Sequence, residues 1–194
     1  MNMQDKRRCF WVNDDPLYLG YHDHEWGVPV YDERQLFEFL SLEGMQAGLS
    51  WITILKKRNA YRTLFDQFDI QLIAQYDDKK IQSLLKDASI IRNKLKINAI
   101  INNARACIEL NQQRSLCDYL WSFVDGKTIV NHWKDRSEVP SESDTSIAMS
   151  KDLKKKGFKF VGPTICYAFM QATGMVNDHT TDCFRYHQLN ADSY

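Results

Sequence analysis

The stretch LFEFLSLEGMQAGLSW, residues 36–51, carries one residue that its helical pattern does not explain. At helical spacing, Leu36, Leu40, Glu43 and Ala47 fall on a single stripe, which phenylalanines flank on either side. This face is expected to meet the core, so Glu43 brings a carboxylate to a position that an apolar side chain would normally occupy. Burying a carboxylate is costly unless it is hydrogen-bonded, paired or protonated.

Two ordinary explanations for Glu43 stay open on spacing alone. The residue can lie at a frayed helix end beside Gly44, or it can pair with a basic residue elsewhere in the chain. The residues that follow point to a third explanation. Gly44 and Gly48 weaken the helix, and Ser50 can cap a new helix that begins at Trp51. A polar group, a helix break and a large aromatic in succession are typical of the edge of a pocket.

The composition is that of an ordinary soluble chain. Its 194 residues are 44% hydrophobic and 26% charged, which suits one domain over residues 1–194. Apolar runs stay well short of the roughly 20 residues that a membrane helix needs, and the N-terminal sequence MNMQDKRRCF lacks an apolar signal region. We therefore expect a cytoplasmic protein with no membrane association.

Charge and cysteine content narrow the functional classes further. Acidic and basic residues balance at 25 each, so any affinity for nucleic acid must come from local patches. The five cysteines are odd in number and scattered, which argues against a disulfide framework. Reduced thiols or metal ligands are the expected alternatives.

Helix signals dominate the chain, and the predicted fold class is all-α. Asp32 can cap a first clear helix that ends near Gly48, and the apolar period between Arg92 and Asn111 predicts a longer helix. The polar stretch over residues 125–142 predicts a long loop, which can carry a short strand at residues 128–130. Capping and first-turn residues predict further helix starts at Ser50, Asp69, Asp77, Ser115, Asp144 and Pro163. Glycines in the C′ position predict helix ends at Gly157 and Gly174.

Histidine and cysteine side chains near both chain ends are candidate metal ligands. They are Cys9 and His22 near the N-terminus, and His179 and Cys183 near the C-terminus. Both residue types bind zinc in tetrahedral sites, and such a site would join the two ends of the chain. The spacing alone is a weak signal, because His24 and His187 are equally available and hydrogen-bonded or exposed histidines are the ordinary alternative.

Four aromatic residues crowd an N-terminal segment that is too polar for ordinary core: Trp11, Tyr18, Tyr21 and Trp26. Aromatic rings beside a pocket can stack on a planar ligand such as a flipped base. The ordinary alternative is that they seal a small lobe.

A turn between two predicted helices, residues 159–162, is a candidate contact for DNA. Backbone N–H groups in such a turn, and at the start of the following helix, can bind a phosphate. Lysines surround the turn at Lys151, Lys154, Lys155, Lys156 and Lys159. A lysine-rich helix is usually only a solvated face, but lysines that lead into a glycine-bearing helical hairpin favour a DNA contact.

Three long stretches of this sequence together resemble a known family. They are DPLYLGYHDHEWGVP at residues 15–29, LFEFLSLEGMQAGLSWITILKKR at 36–58 and KKKGFKFVGPTICYAFMQATGMVNDH at 154–179. The chain is similar to the bacterial DNA-3-methyladenine glycosylase I enzymes, within the helix-hairpin-helix DNA glycosylase superfamily. The similarity runs from Cys9 to about Cys183. It implies a helical bundle with a pocket between two lobes.

The resemblance also implies particular roles for the candidate residues. A structural zinc ion would be held by Cys9, His22, His179 and Cys183, so that residues 1–31 and 175–194 form a zinc-stapled part of one lobe. The base-binding and catalytic carboxylate would be Glu43, with Tyr21 and Trp51 beside it. Further pocket wall would come from Trp11, Tyr18 and Trp26. DNA contacts would come from Lys159, Gly162 and a wedge at Leu49, whereas Asp178 and Asp182 receive no catalytic role.

The activity implied by the resemblance is base-excision repair of alkylated double-stranded DNA. A monofunctional glycosylase would flip out 3-methyladenine, hydrolyse its N-glycosidic bond and leave an abasic site, with 3-methylguanine a poorer substrate. Free 3-methyladenine would be the product ligand, and a monomer is the expected state. Two rival functions remain at this stage: a damage-binding protein without catalysis, and a zinc-stapled helical module for protein partners.

Overall fold

The structure, a computed structural model, describes residues 6–191 and is mostly helical, as the predicted fold class requires. Its ten α-helices, within the described part of the chain, are α1 Pro16–His24, α2 Glu33–Gln46, α3 Trp51–Leu64, α4 Ile70–Ala74, α5 Asp78–Lys86, α6 Lys94–Asn111, α7 Leu116–Trp121, α8 Asp144–Lys155, α9 Pro163–Ala172 and α10 Phe184–Ala191. No described helix combines the length and the apolar character that crossing a bilayer requires.

Two short strands interrupt the helical pattern. Strand β1, Ile129–Val130, lies where the sequence predicted a short strand, and it pairs in parallel with β2, Val176–Asn177. Ile129 faces Val176 in the register. The sequence did not predict β2, because a two-residue strand has no periodicity of its own. The pair fixes the loop after α7 to the chain that follows α9.

Capping residues explain most of the helix starts. Predicted caps accept hydrogen bonds from first-turn N–H groups at four positions: Asp32, Asp69, Asp77 and Ser115. Ser50 does precede α3, but the expected side-chain cap is wrong, since its hydroxyl contacts the Thr53 hydroxyl instead. The long helix α6 begins two residues later than predicted, behind an Asn93 cap.

Helix α2 lies at the centre of the molecule. It packs against α3, α6, α7 and α9, and every residue from Leu36 to Met45 is buried. The predicted apolar stripe is therefore only part of its contact surface. Burial of each large apolar side chain, such as Leu36 and Phe37, contributes about 1.5–3 kcal/mol. A carboxylate on any face of this helix must be accommodated within the protein.

The C-terminal end of α2 is held by a lysine from α6. The buried Lys96 ammonium donates hydrogen bonds to the carbonyls of Met45, at 2.8 Å, and Ala47, at 2.6 Å. Burial lowers the pKa of this ammonium group. A cation is favourable at a helix C-terminus, where the last carbonyls lack partners. Lys96 thus fixes the point where α2 ends and the segment leading to Trp51 begins.

Helices α8 and α9 form a packed pair joined by residues 156–162. Gly157 ends α8 with φ +85°, the left-handed conformation expected for a C′ glycine. The Phe158 amide donates a hydrogen bond to the Leu153 carbonyl at 3.0 Å, and the Gly157 amide donates one to the Lys154 carbonyl at 3.1 Å. These bonds form a Schellman motif, which turns the chain sharply after α8.

Candidate active site

A pocket of about 440 Å³ is lined by residues from both halves of the chain, and its volume lies within the usual range of roughly 300–1,000 Å³ for small-ligand sites. Tyr21 on α1, Glu43 on α2 and Trp51 on α3 all line it. The other aromatic residues singled out in the sequence also line the pocket: Trp11, Tyr18 and Trp26. The structure therefore brings all six predicted base-pocket residues to one cavity.

The aromatic rings pack on one another around this cavity. Trp11 contacts Trp26 edge-on at 5.1 Å between centroids and lies 5.5 Å from Tyr18. Tyr21 lies 5.4 Å from Trp51, tilted by 46°. The indole N–H groups of Trp11 and Trp51 are buried without a hydrogen-bond partner among the described residues. The walls thus offer apolar ring faces and two unused donors.

The Glu43 side chain is buried and faces neither a frayed helix end nor a basic partner. The residue is 5% exposed and lies three residues inside the end of α2. No described side chain donates a hydrogen bond to its carboxyl group. Both ordinary explanations left open by the sequence are therefore wrong. Within the described part of the chain, Glu43 is an acid without a partner that lines the pocket.

Glu38, a second buried carboxylate on α2, is paired with arginines, in contrast to Glu43. Glu38 accepts hydrogen bonds from Arg58, at 2.5 Å, and from Arg62, at 3.0 Å. Arg58 also contacts Glu25 at 2.5 Å. Both arginines on α3 are thus used by other carboxylates. The sequence analysis missed Glu38, because a carboxylate–arginine pair between two helices has no local signature.

The absence of a partner has an electrostatic consequence for Glu43. Burial raises the pKa of its carboxyl group to about 8. The pKa of the Tyr21 phenol is also raised well above its usual value, first by burial and second by the neighbouring Glu43 carboxylate. Near pH 7 the Glu43 carboxyl is therefore mostly protonated. A positive charge placed beside it would favour the ionised form.

Further pocket residues were not found from the sequence. They are Phe10, Gln46, Ser50, Val139, Pro140, Ala168, Gln171 and Asp178. Phe10 and Gln46 lie close in sequence to the predicted site residues Trp11 and Glu43, and this proximity could have indicated that they line the pocket. Val139 and Pro140 belong to the predicted long loop, and nothing in its sequence indicates that it covers the pocket.

Asp178 is a buried carboxylate that holds the far wall of the pocket together. Its two oxygens accept hydrogen bonds from four neutral donors: Asn131 at 2.6 Å, Trp133 at 2.9 Å, Tyr167 at 2.7 Å and Gln171 at 2.8 Å. These bonds tie the loop after β1 to helix α9. Because a carboxylate only accepts, the amide nitrogen of Gln171 must face Asp178.

The four predicted metal ligands form a buried cluster. Cys9, His22, His179 and Cys183 place their ligand atoms within 4.8 Å of one another. The Cys9 sulfur lies 3.3 Å from Nδ1 of His179, and the Cys183 sulfur 3.4 Å from Nε2 of His22. A tetrahedral zinc ion with normal bond lengths would separate sulfur and nitrogen ligands by roughly 3.5 Å. The cluster therefore fits a metal ion of this kind.

The surroundings of the cluster also suit a metal. The outer nitrogen of His22 contacts Asp23 at 2.8 Å, and that of His179 contacts the Trp26 carbonyl at 3.0 Å. Such outer contacts fix the ring orientation in metal-binding histidines. The hydrogen bond between the two thiols lowers the pKa of Cys183 and raises that of Cys9, so the pair shares a proton that metal binding would release. A thiolate is the form that binds metal.

The predicted DNA contacts are Leu49, next to the pocket residue Ser50, and two residues at the turn between α8 and α9, Lys159 and Gly162. Leu49 is 40% exposed, and the Lys159 side chain is exposed at the turn between α8 and α9. The Lys159 backbone amide already donates to the Asn103 side chain at 2.8 Å, so it is not among the N–H groups of the turn that are left for a phosphate. Gly162 precedes α9, whose first turn has no side-chain cap. Helix α2 packs against this turn at Gly44, where an added Cβ would make an ordinary contact with Phe160 at 3.4 Å.

These features define the class of site. A helical protein presents an aromatic cavity whose buried acid has no partner among residues 6–191, so the cavity suits a small planar ligand with positive charge or hydrogen-bond donors.

Comparison with known proteins narrows the class to a family. A family model described as methyladenine glycosylase matches residues 11–186. DNA-3-methyladenine glycosylase 1 of Escherichia coli (strain K12) is 53% identical over 180 residues, covering 92% of this chain and 96% of that protein. A crystal structure of 3-methyladenine DNA glycosylase I superposes with a TM-score of 0.90 at 54% identity, covering 92% of this chain and 98% of that one.

A further solved structure contains a ligand. A single-residue variant of 3-methyladenine DNA glycosylase I in complex with 3-methyladenine superposes with a TM-score of 0.88 at 39% identity, covering 91% of this chain and 96% of that chain. The present chain belongs to the methyladenine glycosylase family, and the resemblance seen in its sequence is confirmed.

Proposed function

We propose that this protein is a monofunctional DNA glycosylase that releases 3-methyladenine from alkylated DNA and leaves an abasic site. The observation that carries the proposal is the buried, unpartnered Glu43 carboxyl in an aromatic pocket. The activity named for the E. coli relative supports it. A guanine methylated at the same ring position is proposed as a poorer substrate.

The charge of the damaged base explains the use of an unpaired acid. Methylation at N3 makes the adenine cationic, so the base is a good leaving group that needs no protonation. Hydrolysis adds water across the bond to C1′ and yields a neutral base, an abasic sugar and one proton. The enzyme must therefore supply selection and positioning more than acid catalysis.

Glu43 performs the selection in this proposal. A cationic base lowers the pKa of the Glu43 carboxyl from about 8, and the resulting carboxylate accepts a hydrogen bond from the adenine amino group. Neutral adenine offers no such charge, so it gains less from the same site. Because the attraction weakens as the base becomes neutral, it favours recognition more than bond cleavage.

The aromatic residues hold the base plane. Trp51 is proposed to stack on the cationic ring, an interaction worth about 0.5–2 kcal/mol. Tyr21 lies next to both Trp51 and Glu43 and presents its hydroxyl as a further polar group. Trp11, Tyr18 and Trp26 complete the wall on the side of the N-terminal segment.

Access to the pocket requires the nucleotide to leave the double helix. Extrusion costs a few kcal/mol and is easiest for a damaged base. Leu49 lies one residue before the cap of α3 and is exposed, which suits a side chain that fills the gap in the stack. We infer that α8, the turn at residues 156–162 and α9 form the DNA-binding hairpin, with Gly162 and Lys159 at the phosphate.

Zinc is the metal we propose for the cluster of Cys9, His22, His179 and Cys183. Two thiolates and two imidazoles are a usual donor set for structural zinc, and four protein ligands leave no open position for water. The ion would fasten the N-terminal segment to the chain around α10. In that arrangement one chain forms the complete pocket, so we propose a single domain that acts as a monomer.

The proposal predicts base release by stoichiometric protein. Incubation with a methylated duplex should liberate free 3-methyladenine and produce abasic sites, both measurable by chromatography, whereas an unmethylated duplex should yield neither. Binding to methylated DNA without any free base would instead identify a damage-binding protein. Absence of salt-dependent binding to an abasic duplex would favour the protein-interaction module.

A further inference from the structure

A second cavity, open to solvent, adjoins the base pocket and is lined by basic side chains. Its volume is about 700 Å³, and four cationic residues line it: Arg7, Arg8, Lys134 and Arg136. Asp135 and Asp182 are the acidic lining residues. With Asp23, which pairs with Arg8, four positive and three negative charges meet here, an excess of one positive charge on a chain whose formal net charge is zero. We call it the basic cleft.

Two of these cations are not neutralised by neighbouring carboxylates. Arg7 pairs with Asp182 and Arg8 with Asp23, each at 2.7 Å. Among the described residues, no ion pair involves the side chain of Lys134 or Arg136. The positive charge of the cleft therefore comes chiefly from these two side chains.

The nearby carboxylates accept hydrogen bonds from backbone and side-chain groups of the same loop. Asp135 accepts hydrogen bonds from the amide and hydroxyl of Ser137, at 2.7 and 2.5 Å. The Glu138 carboxylate accepts a hydrogen bond from the Lys134 backbone amide at 2.6 Å. These contacts shape the loop that carries Lys134 and Arg136 and leave both cationic groups available for an external anion.

The basic cleft and the base pocket share a wall. Phe10 lines both, and the Arg136 guanidinium lies over its ring at 5.8 Å from the centroid. The chain after Arg136 continues to Val139 and Pro140, which line the pocket. Trp11 lines the pocket directly after Phe10. An anion in the cleft would therefore lie next to whatever occupies the pocket.

We propose that the basic cleft binds the DNA backbone phosphates that flank the nucleotide whose base occupies the pocket, an inference that rests on the proposed glycosylase function. A flipped nucleotide remains joined to its neighbours through phosphodiesters, so phosphates must lie close to the mouth of the pocket. Lysine and arginine are the usual partners of such phosphates. This contact is separate from the turn between α8 and α9.

The test is the salt dependence of binding to a duplex that carries a stable abasic-site analogue. In the Lys134→Gln/Arg136→Gln variant, the slope of log affinity against log salt should become shallower by about 1–2, and affinity at low salt should fall roughly tenfold. Affinity for free 3-methyladenine should stay unchanged, which also reports that the variant is folded. The matched control is Arg114→Gln/Lys127→Gln, which removes two exposed charges that line neither cavity.

The outcomes separate this proposal from the proposed function. A wild-type salt slope in the double variant would overturn the cleft assignment even if base release is normal. An equal loss of slope in the control would overturn it as well, because the effect would then reflect overall charge. Failure of the wild type to release base would instead overturn the glycosylase function, and the salt titration would still give its own result.

Discussion

Replacing Glu43 with glutamine is expected to lower kcat/KM for release of 3-methyladenine from methylated DNA about 100-fold at pH 8.5. At that pH the wild-type carboxyl, with a pKa of about 8, is largely ionised and attracts the cationic base. Glutamine has the same shape without the charge. The loss corresponds to about 2.7 kcal/mol, within the roughly 1.5–3 kcal/mol of a hydrogen bond to a charged group. Initial rates of base release measure it.

The pH profile distinguishes this explanation from a general loss of fit. For the wild type, kcat/KM should rise about tenfold per pH unit between pH 6 and 7.5 and level off above 8, because the free enzyme must lose the Glu43 proton. The Glu43→Gln variant should show no such rise. The Glu109→Gln variant, which changes an exposed carboxylate on α6, should keep the wild-type profile. A rise of equal slope in Glu43→Gln would contradict the assignment.

Stability provides an independent signature of the same group. The folded-state pKa of Glu43 is raised from 4.5 to about 8, so the folded protein binds more protons than the unfolded chain in that window. The wild type must therefore lose stability as pH rises from about 4.5 to 8. The free energy of unfolding of Glu43→Gln, relative to wild type, should grow by about 3 kcal/mol between pH 5 and 8. Denaturant titrations at both pH values would detect this.

The second large effect is expected at the metal cluster. Cys183→Ser should abolish stoichiometric zinc binding and lower the free energy of unfolding by about 4 kcal/mol, as the loss of a structural metal does. The reason is that the ion would join the N-terminal segment to the chain after β2 through two ligands from each. Metal analysis and chemical unfolding of the same sample give both numbers.

The control for this prediction is Cys117→Ser. Cys117 is partly exposed on α7 and lies outside the cluster, so its variant should keep its zinc and most of its stability. Full zinc content in Cys183→Ser would show that the sulfur is not a ligand. Loss of zinc without loss of stability would show that the ion does not hold the chain ends together.

Features with a local physical cause could be predicted from the sequence. Asp32, Asp69 and Asp77 cap helices because a side-chain oxygen meets amides two or three residues away. Gly157 ends α8 because a left-handed residue is needed there. Glu43 was identified because a polar residue interrupts an apolar helical period.

Features that depend on contacts between distant segments could not be predicted in this way. The Glu38–Arg58 pair joins two helices, and Lys96 reaches the carbonyls of Met45 and Ala47 across about 50 positions of sequence. Asp178 gathers donors from a loop and from α9. None of these pairings has a spacing rule, because the fold brings the partners together. The metal ligands are similar, and only the family resemblance selected them from the available histidines.

The most direct test of the account is a titration of the Glu43 carboxyl group in the free protein. Its side-chain carboxyl carbon can be observed by NMR in protein with labelled glutamate and assigned by its absence in Glu43→Gln. A midpoint near pH 8 is the predicted result, because the group is buried without a partner. A midpoint near 4.5, the ordinary value for a glutamate, would place the carboxyl in solvent or beside a cation and would contradict the proposed recognition of a positively charged base.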